Sequence, residues 1–143
     1  MKHISILVPE QAVLAAIDDP RHVFSMVNSF FEKEGKPPVF DIKLVGLKRE
    51  VRLHGSSFSV HIDLLLDEVK RTDLIFIPAF SGEWETVLEI NQDFIPWIIK
   101  QREKGAEVVS LCVGAFMLAK TGLLDGKKCS THWQAADEFR QMF

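Results

Sequence analysis

The segment "SLCVGAFMLAKTGLLDG" (110–126) sets Cys112 between a β-branched run, "EVV", and an apolar stretch with helical spacing. A strand ending at Leu111 and a helix starting at Val113 would force the chain to turn sharply at the cysteine. The backbone comes close to itself in such an elbow, so the residues two before and two after must be small. Ser110 and Gly114 meet that requirement. N–H groups of the helix start would face the sulfur and favour its anionic, nucleophilic form. The Val113 N–H would be one donor to a developing oxyanion. The plainer reading of Cys112 is a small buried hydrophobe at a strand end. Its position at the C-terminal edge of a parallel strand, where α/β sheets hold their ligands, weighs towards a site.

A nucleophile needs a base. Of five histidines, His132 in "CSTHWQAADEF" follows the next short segment and precedes a helix, so a loop at the same sheet edge could carry it to Cys112. His3, His22, His54 and His61 have no comparable placement. The alternative for His132 is a surface or capping residue, with Ser130 and Thr131 as further cap candidates for the last helix. Cys129 lies between Lys128 and Ser130, and reads as a plain strand residue or a second reactive thiol. Two cysteines make no disulfide framework, and no Cys or His pair has zinc-site spacing, so no metal and no cofactor is expected.

The elements that must position these residues alternate in type. His3–Val8, Phe40–Leu47, Asp73–Ala79 and Glu107–Cys112 are short β-branched-rich runs that predict strands. The first, third and fourth are nearly continuous in apolar residues, as strands covered on both faces are. Between them "DPRHVFSMVNSFFEKEG" predicts a helix capped by Asp19, opened by Pro20 and stopped at Gly35. "DLLLDEVKR" (63–71) predicts a shorter helix capped by Asp63. "NQDFIPWIIKQREKG" (91–105) predicts one running from an Asn91 cap to Gly105, with Pro96 bending its start. Val113–Gly122 predicts a fourth helix, and a fifth begins at Trp133. "KREVRLHGSSFSVH" alternates about "HGSS" and predicts a hairpin. The sum is a βαβ chain, hence a three-layer α/β sandwich with a mostly parallel sheet.

The chain has 143 residues, enough for one domain with one core, and its 47% hydrophobic and 26% charged residues are ordinary for a globular protein. Seventeen basic against twenty acidic residues give a net charge of −3, with no electrostatic footprint for nucleic acid. No apolar run approaches a membrane span, and "MKHISILVPEQ" breaks at Pro9 before a signal peptide could form, so a cytoplasmic location and no membrane partner are expected. The chain stops inside a helical pattern at Phe143, which predicts that the C-terminal part of the domain is missing.

"VVSLCVGAFMLAKTGLLDGKKCSTHW" strongly resembles the signature of the ThiJ/PfpI superfamily, the class I glutamine amidotransferase-like domains of flavodoxin-like fold. The resemblance covers about 26 residues without a gap, and "FIPWIIKQREKGAEV" and "DLIFIPA" also fit. "GAFMLAKTGLLDGKKCSTHW" is most similar to the N-terminal sensing domain of GlxA-type, AraC-family transcriptional regulators. Isocyanide hydratase-like enzymes share much of it. By this resemblance Cys112 stands at the nucleophile position, His132 at the histidine position, and Val113 and Gly114 complete the elbow. The family's enzymes place an Asp or Glu four residues before the proline of helix one; here that residue is Ala16. They commonly carry a Gly pair after the strand "DLIFIPAF"; here Ala79 and Phe80 stand there, with the Phe80 ring expected near the site.

Ala16, Phe80, Val113 and Gly114 are therefore expected to line a ligand pocket around Cys112 and His132. The resemblance implies that residues 1–143 form a sensing domain for an unknown small-molecule effector or for thiol oxidation, largely non-catalytic and homodimeric. DNA would be reached only through a helix-turn-helix domain downstream. Two other readings stay open: a cysteine-dependent lyase or hydrolase acting on an isocyanide, amide or aldehyde, and a redox-sensitive or purely structural dimer module.

Overall fold

The computed structural model describes all 143 residues. β1 (Lys2–Leu7) leads into α1 (Leu14–Lys33) and returns as β2 (Phe40–Gly46), which pairs with β1 in parallel. A hairpin of β3 (Glu50–Leu53) and β4 (Phe58–His61) follows, then the two-residue β5 (Leu64–Leu65) beside β2. β6 (Leu74–Ile77) crosses to the other side of β1, and α2 (Trp84–Ile90) and α3 (Phe94–Glu103) follow it. β7 (Glu107–Ser110) pairs with β6 and runs into α4 (Gly114–Lys120), and the chain continues to α5 (Ala136–Met142). The result is a parallel five-stranded sheet ordered β5-β2-β1-β6-β7.

Strand alternation divides the core between the two faces of this sheet. Ile4 and Ile6 of β1 meet Ile17 of α1 and the hairpin residues Val51, Leu53 and Val60 on one face. Leu7, Ile75 and Ile77 meet Phe94, Ile98, Phe116, Met117 and Phe139 from α3, α4 and α5 on the other. The predicted strands and the three-layer α/β sandwich are thus present. β7 departs in one respect: it is an edge strand, and Val109 on it is exposed. The two-sided cover read from its apolar run holds for β1 and β6 only.

Helix boundaries moved more. α1 starts at Leu14, not after Asp19, and Pro20 is a buried residue in its second turn. Proline lacks an N–H, so one helical hydrogen bond to the Ala16 carbonyl is lost. Burial of Ile17 and Pro20 against the sheet compensates, and Ala15 and Ala16 favour helix. The orphan N–H at the helix start is taken by the hairpin turn, where His54 Nε2 accepts from the Leu14 N–H at 3.2 Å. Asp19 is therefore no cap.

The helix predicted for 63–71 does not form. The Asp63 carboxylate accepts the Leu44 N–H at 2.7 Å, which docks Leu64–Leu65 as β5, and only a single 3-10 turn (Leu66–Glu68) follows. The predicted 91–105 helix is in fact α3, preceded by α2, which the sequence did not announce. Asn91 is the last-turn cap of α2 rather than the start of α3. It is fully buried: its Nδ2 donates to the carbonyls of Glu10 (3.1 Å) and Val87 (2.8 Å), and its Oδ1 accepts the Glu10 N–H at 2.9 Å. One amide side chain thus fastens the loop after β1 to α2. The hairpin forms as expected, its turn reached through positive φ at His54, Gly55 and Ser56.

Candidate functional site at the C-terminal edge of the sheet

Three strand ends meet above the sheet. The loop after β1 and the segment after β6 are joined by an antiparallel bridge between Ala12 and Phe80. The Val13 N–H donates to the Ala79 carbonyl and the Ser81 N–H to the Gln11 carbonyl, each at 2.9 Å. Gln11 reaches this position with φ +68°. At the end of β7, the Leu111 N–H still donates to the Ile77 carbonyl at 2.9 Å, and the next residue turns away.

That residue is Cys112, at φ +54°. A non-glycine residue there carries strain of about 1–3 kcal/mol, tolerated where the surroundings over-determine it. The determinant is visible two residues on. A Cβ on Gly114 would lie 2.7 Å from both the Ile77 and Pro78 carbonyl oxygens, so only glycine lets α4 start this close to the end of β6. The thiol is exposed, which overturns the reading of Cys112 as a buried hydrophobe. Val113 is buried, and its N–H, like that of Phe80, donates to no protein acceptor. The Phe80 ring does not occupy the site. It is buried in the core, edge-on to Trp84 at 6.0 Å, and Trp84 in turn stacks on Phe116 at 5.1 Å. Ala16 is half-buried in the first turn of α1, its N–H donating to Val13. It brings a methyl group where a carboxylate would bring an acceptor.

The loop carrying His132 does come to the elbow, through its neighbour. The Thr131 hydroxyl donates to the Cys112 carbonyl at 3.2 Å. Thr131 was expected only as a cap, and nothing in the local sequence distinguishes a threonine that reaches across the fold from one that caps its own helix. The cap is His132 itself: its Nδ1 accepts the Gln134 N–H at 3.3 Å at the start of the 3-10 turn Trp133–Ala135. A neutral imidazole has one lone pair. Here it is spent on the backbone, the proton sits on Nε2, and the ring lies against exposed Trp133, centroids 5.9 Å apart. No hydrogen bond joins His132 to Cys112 Sγ. α5, which follows, is held by the Trp84 indole N–H donating to Glu138 at 2.5 Å and by Phe139 packing on Phe116.

Cys129, the second exposed thiol, lines a separate groove of about 750 Å³ between the 124–131 segment and α5, with Lys127, Lys128, Phe139 and Arg140. It lies in no strand. No group of three or more His, Cys, Asp or Glu side chains is arranged to hold a metal ion, and no helix is long and apolar enough to cross a membrane.

A parallel α/β sandwich with a strained cysteine elbow at the sheet edge defines a class of amidotransferase-like domains. Residues 21–142 match the DJ-1/PfpI family, and the chain belongs to it. It is 30% identical over 91 residues to the HTH-type transcriptional regulator CdhR of Pseudomonas aeruginosa, a match covering 64% of this chain and 26% of that protein. It is 32% identical over 65 residues to the isonitrile hydratase of Pseudomonas putida, covering 46% and 28% respectively. The crystal structure of a transcriptional regulator protein from Vibrio parahaemolyticus superposes with TM-score 0.84 at 24% identity, covering 99% of this chain and 72% of the other. The chain thus spans about a quarter of the regulator it matches in sequence and under three quarters of the structure it matches in fold.

Proposed function

We propose that this domain is the small-molecule sensing module of an AraC-type transcriptional regulator, working as a homodimer, with DNA contacted by a separate helix-turn-helix domain. The effector sits over Cys112, bounded by the Val113 and Phe80 N–H groups, Ala16 and the Thr131–His132 loop. The observation that carries this reading is the state of His132. Its only lone pair accepts the Gln134 N–H, so it offers a proton from Nε2 and takes none from the thiol. Free N–H donors and an imidazole N–H would suit an acceptor-rich ligand, such as a carboxylate or carbonyl compound. A methyl at Ala16 supplies no acid or base. The likeness to CdhR, a transcriptional regulator, supports the same reading.

The test is a thermal-shift screen of carboxylates, amides and aldehydes against the chain. A stabilising ligand that Gly114→Val or Ala16→Glu abolishes, and that is recovered unchanged after incubation, is the expected result. Turnover of the ligand, lost in Cys112→Ala, would overturn it.

The likeness to isonitrile hydratase favours a second reading, hydration of an isocyanide. The Cys112 thiol would add across the isocyanide carbon to give a thioimidate, water would then replace the sulfur to release the N-substituted formamide and the free thiol, and the Val113 and Phe80 N–H groups would stabilise developing charge. Without a carboxylate at position 16 its rate would fall on the order of 10²-fold or more. Formation of an N-formamide from a simple alkyl isocyanide, dependent on Cys112, decides for it.

A further inference from the structure

We infer that Trp84 is a positioning residue, a role that rests on the proposed assignment of the Phe80 and Val113 N–H groups as ligand donors. One indole holds those two groups in register beside Cys112 and ties the register to α5. The donors come from different elements, Phe80 from the segment after β6 and Val113 from the start of α4, and neither donates to a protein acceptor. The Gly114 contact limits how close α4 comes to β6, but leaves the roll of the helix to the side chains around it.

Trp84 supplies that packing. Its ring is edge-on to the Phe80 ring, centroids 6.0 Å apart at 66°, and stacks on the Phe116 ring at 5.1 Å and 28°. Both phenyl rings are buried. Phe116 lies in the first turn of α4, where its N–H donates to the Val113 carbonyl at 3.0 Å. The indole thus touches the residue that bears one donor and the turn that bears the other, and such aromatic contacts are directional. Its single N–H extends the link. The Trp97 N–H is spent on the Leu66 backbone carbonyl at 2.9 Å. The Trp84 N–H instead reaches the Glu138 carboxylate in the first turn of α5 at 2.5 Å, a short charge-assisted bond. Phe139, the next residue, packs edge-on to Phe116 at 5.0 Å. α5 therefore grips both rings of the stack. A shift of α5 turns the two donors relative to each other, and an anion held by both donors resists that shift in return.

Alkylation of Cys112 reads the donors directly. Iodoacetate and iodoacetamide are alike in size and both lose iodide to the sulfur, but only iodoacetate carries a carboxylate for the two N–H groups. The ratio of their rates, followed on the Cys112 peptide by mass spectrometry, cancels changes in thiol exposure and basicity that simple loosening of the fold would cause. In the unaltered chain this ratio should exceed that of a small free thiol by about tenfold. Trp84→Leu should return it to the small-thiol value. Trp84→Phe and Glu138→Ala should each lower it about threefold, and together by no more than either alone, because both break the same hydrogen bond. Glu138→Gln removes the same charge but keeps an acceptor, and should hold the ratio of the unaltered chain. An unaltered chain with no more preference than the small thiol overturns the donor assignment and the role of Trp84 with it. A raised ratio that survives Trp84→Leu in a chain folded by far-ultraviolet circular dichroism overturns the role of Trp84 alone and leaves the donors standing. Should Trp84→Leu fail to fold, Glu138→Ala at its exposed site decides, and an unchanged ratio there overturns the link to α5.

Discussion

Gly114→Ala tests the elbow where its geometry is most constrained. In an ordinary helix this substitution stabilises, by up to about 1 kcal/mol from helix propensity and reduced freedom of the unfolded chain. Here the new methyl would meet the Ile77 and Pro78 carbonyl oxygens at 2.7 Å. Both are backbone atoms of a central strand end, and neither can rotate aside. A carbon and an oxygen in van der Waals contact need about 3.2 Å, so α4 must retreat by about 0.5 Å or tilt. Overpacking of this kind costs about 1–3 kcal/mol, and two immovable partners put it at the upper end. The net expectation is about 2 kcal/mol of destabilisation, or a midpoint lowered by roughly 6 °C for a chain of this size. Thermal and urea denaturation of the variant measure it. Gly126→Ala is the control: it has φ +69° but nothing within 4 Å, and should cost about 1 kcal/mol from backbone strain alone. A Gly114→Ala variant as stable as the parent, or more so, would show that α4 does not start against β6. The steric account of Cys112 at positive φ would then fail with it.

Asn91→Ala should destabilise by about 2–4 kcal/mol in urea unfolding, because it strands the Glu10 N–H and leaves a void at a fully buried site. A cost below about 1 kcal/mol would mean that the amide does not fasten the loop after β1. Glu68 accepts the Leu65 N–H at 2.7 Å and pairs with Arg49, and these contacts hold its carboxyl below the usual value of 4.5. A carboxyl lowered by folding stabilises above its unfolded pKa, and that contribution is lost as pH falls through the lower folded value. Glu68→Gln should therefore lower the melting temperature at pH 7, with the two curves converging below pH 4.5. Parallel curves down to pH 3 would refute the pairing.

The apolar runs and the elbow were legible because the forces behind them are local. Short β-branched-rich runs announced β1, β2, β6 and β7, and Ser110, Cys112 and Gly114 announced a close turn. The helix ends misled where a side chain had a distant alternative. Asp63 could cap a helix or take the Leu44 N–H, and only the arrival of β2 makes the second choice available. Asp19 before Pro20 is a strong start signal, yet a hairpin 40 residues later brings His54 to receive the Leu14 N–H. Asn91 before a helical pattern looked like its cap, until the loop after β1 offered it two partners, the Glu10 N–H and carbonyl.

The residues of the site divide in the same way. Sequence alone determined which chemistry is available: a thiol on an elbow, a histidine after "ST", a methyl at position 16. These are matters of residue type and spacing, and they survive folding unchanged. Tertiary structure decided what each group is free to do. It turned the Phe80 ring into the core against Trp84, left the Phe80 and Val113 N–H groups without acceptors, sent the Thr131 hydroxyl to the Cys112 carbonyl and spent the His132 lone pair on Gln134. Hydrogen bonds saturate: a lone pair or N–H committed to one partner is lost to another, and only the folded chain settles which partner arrives.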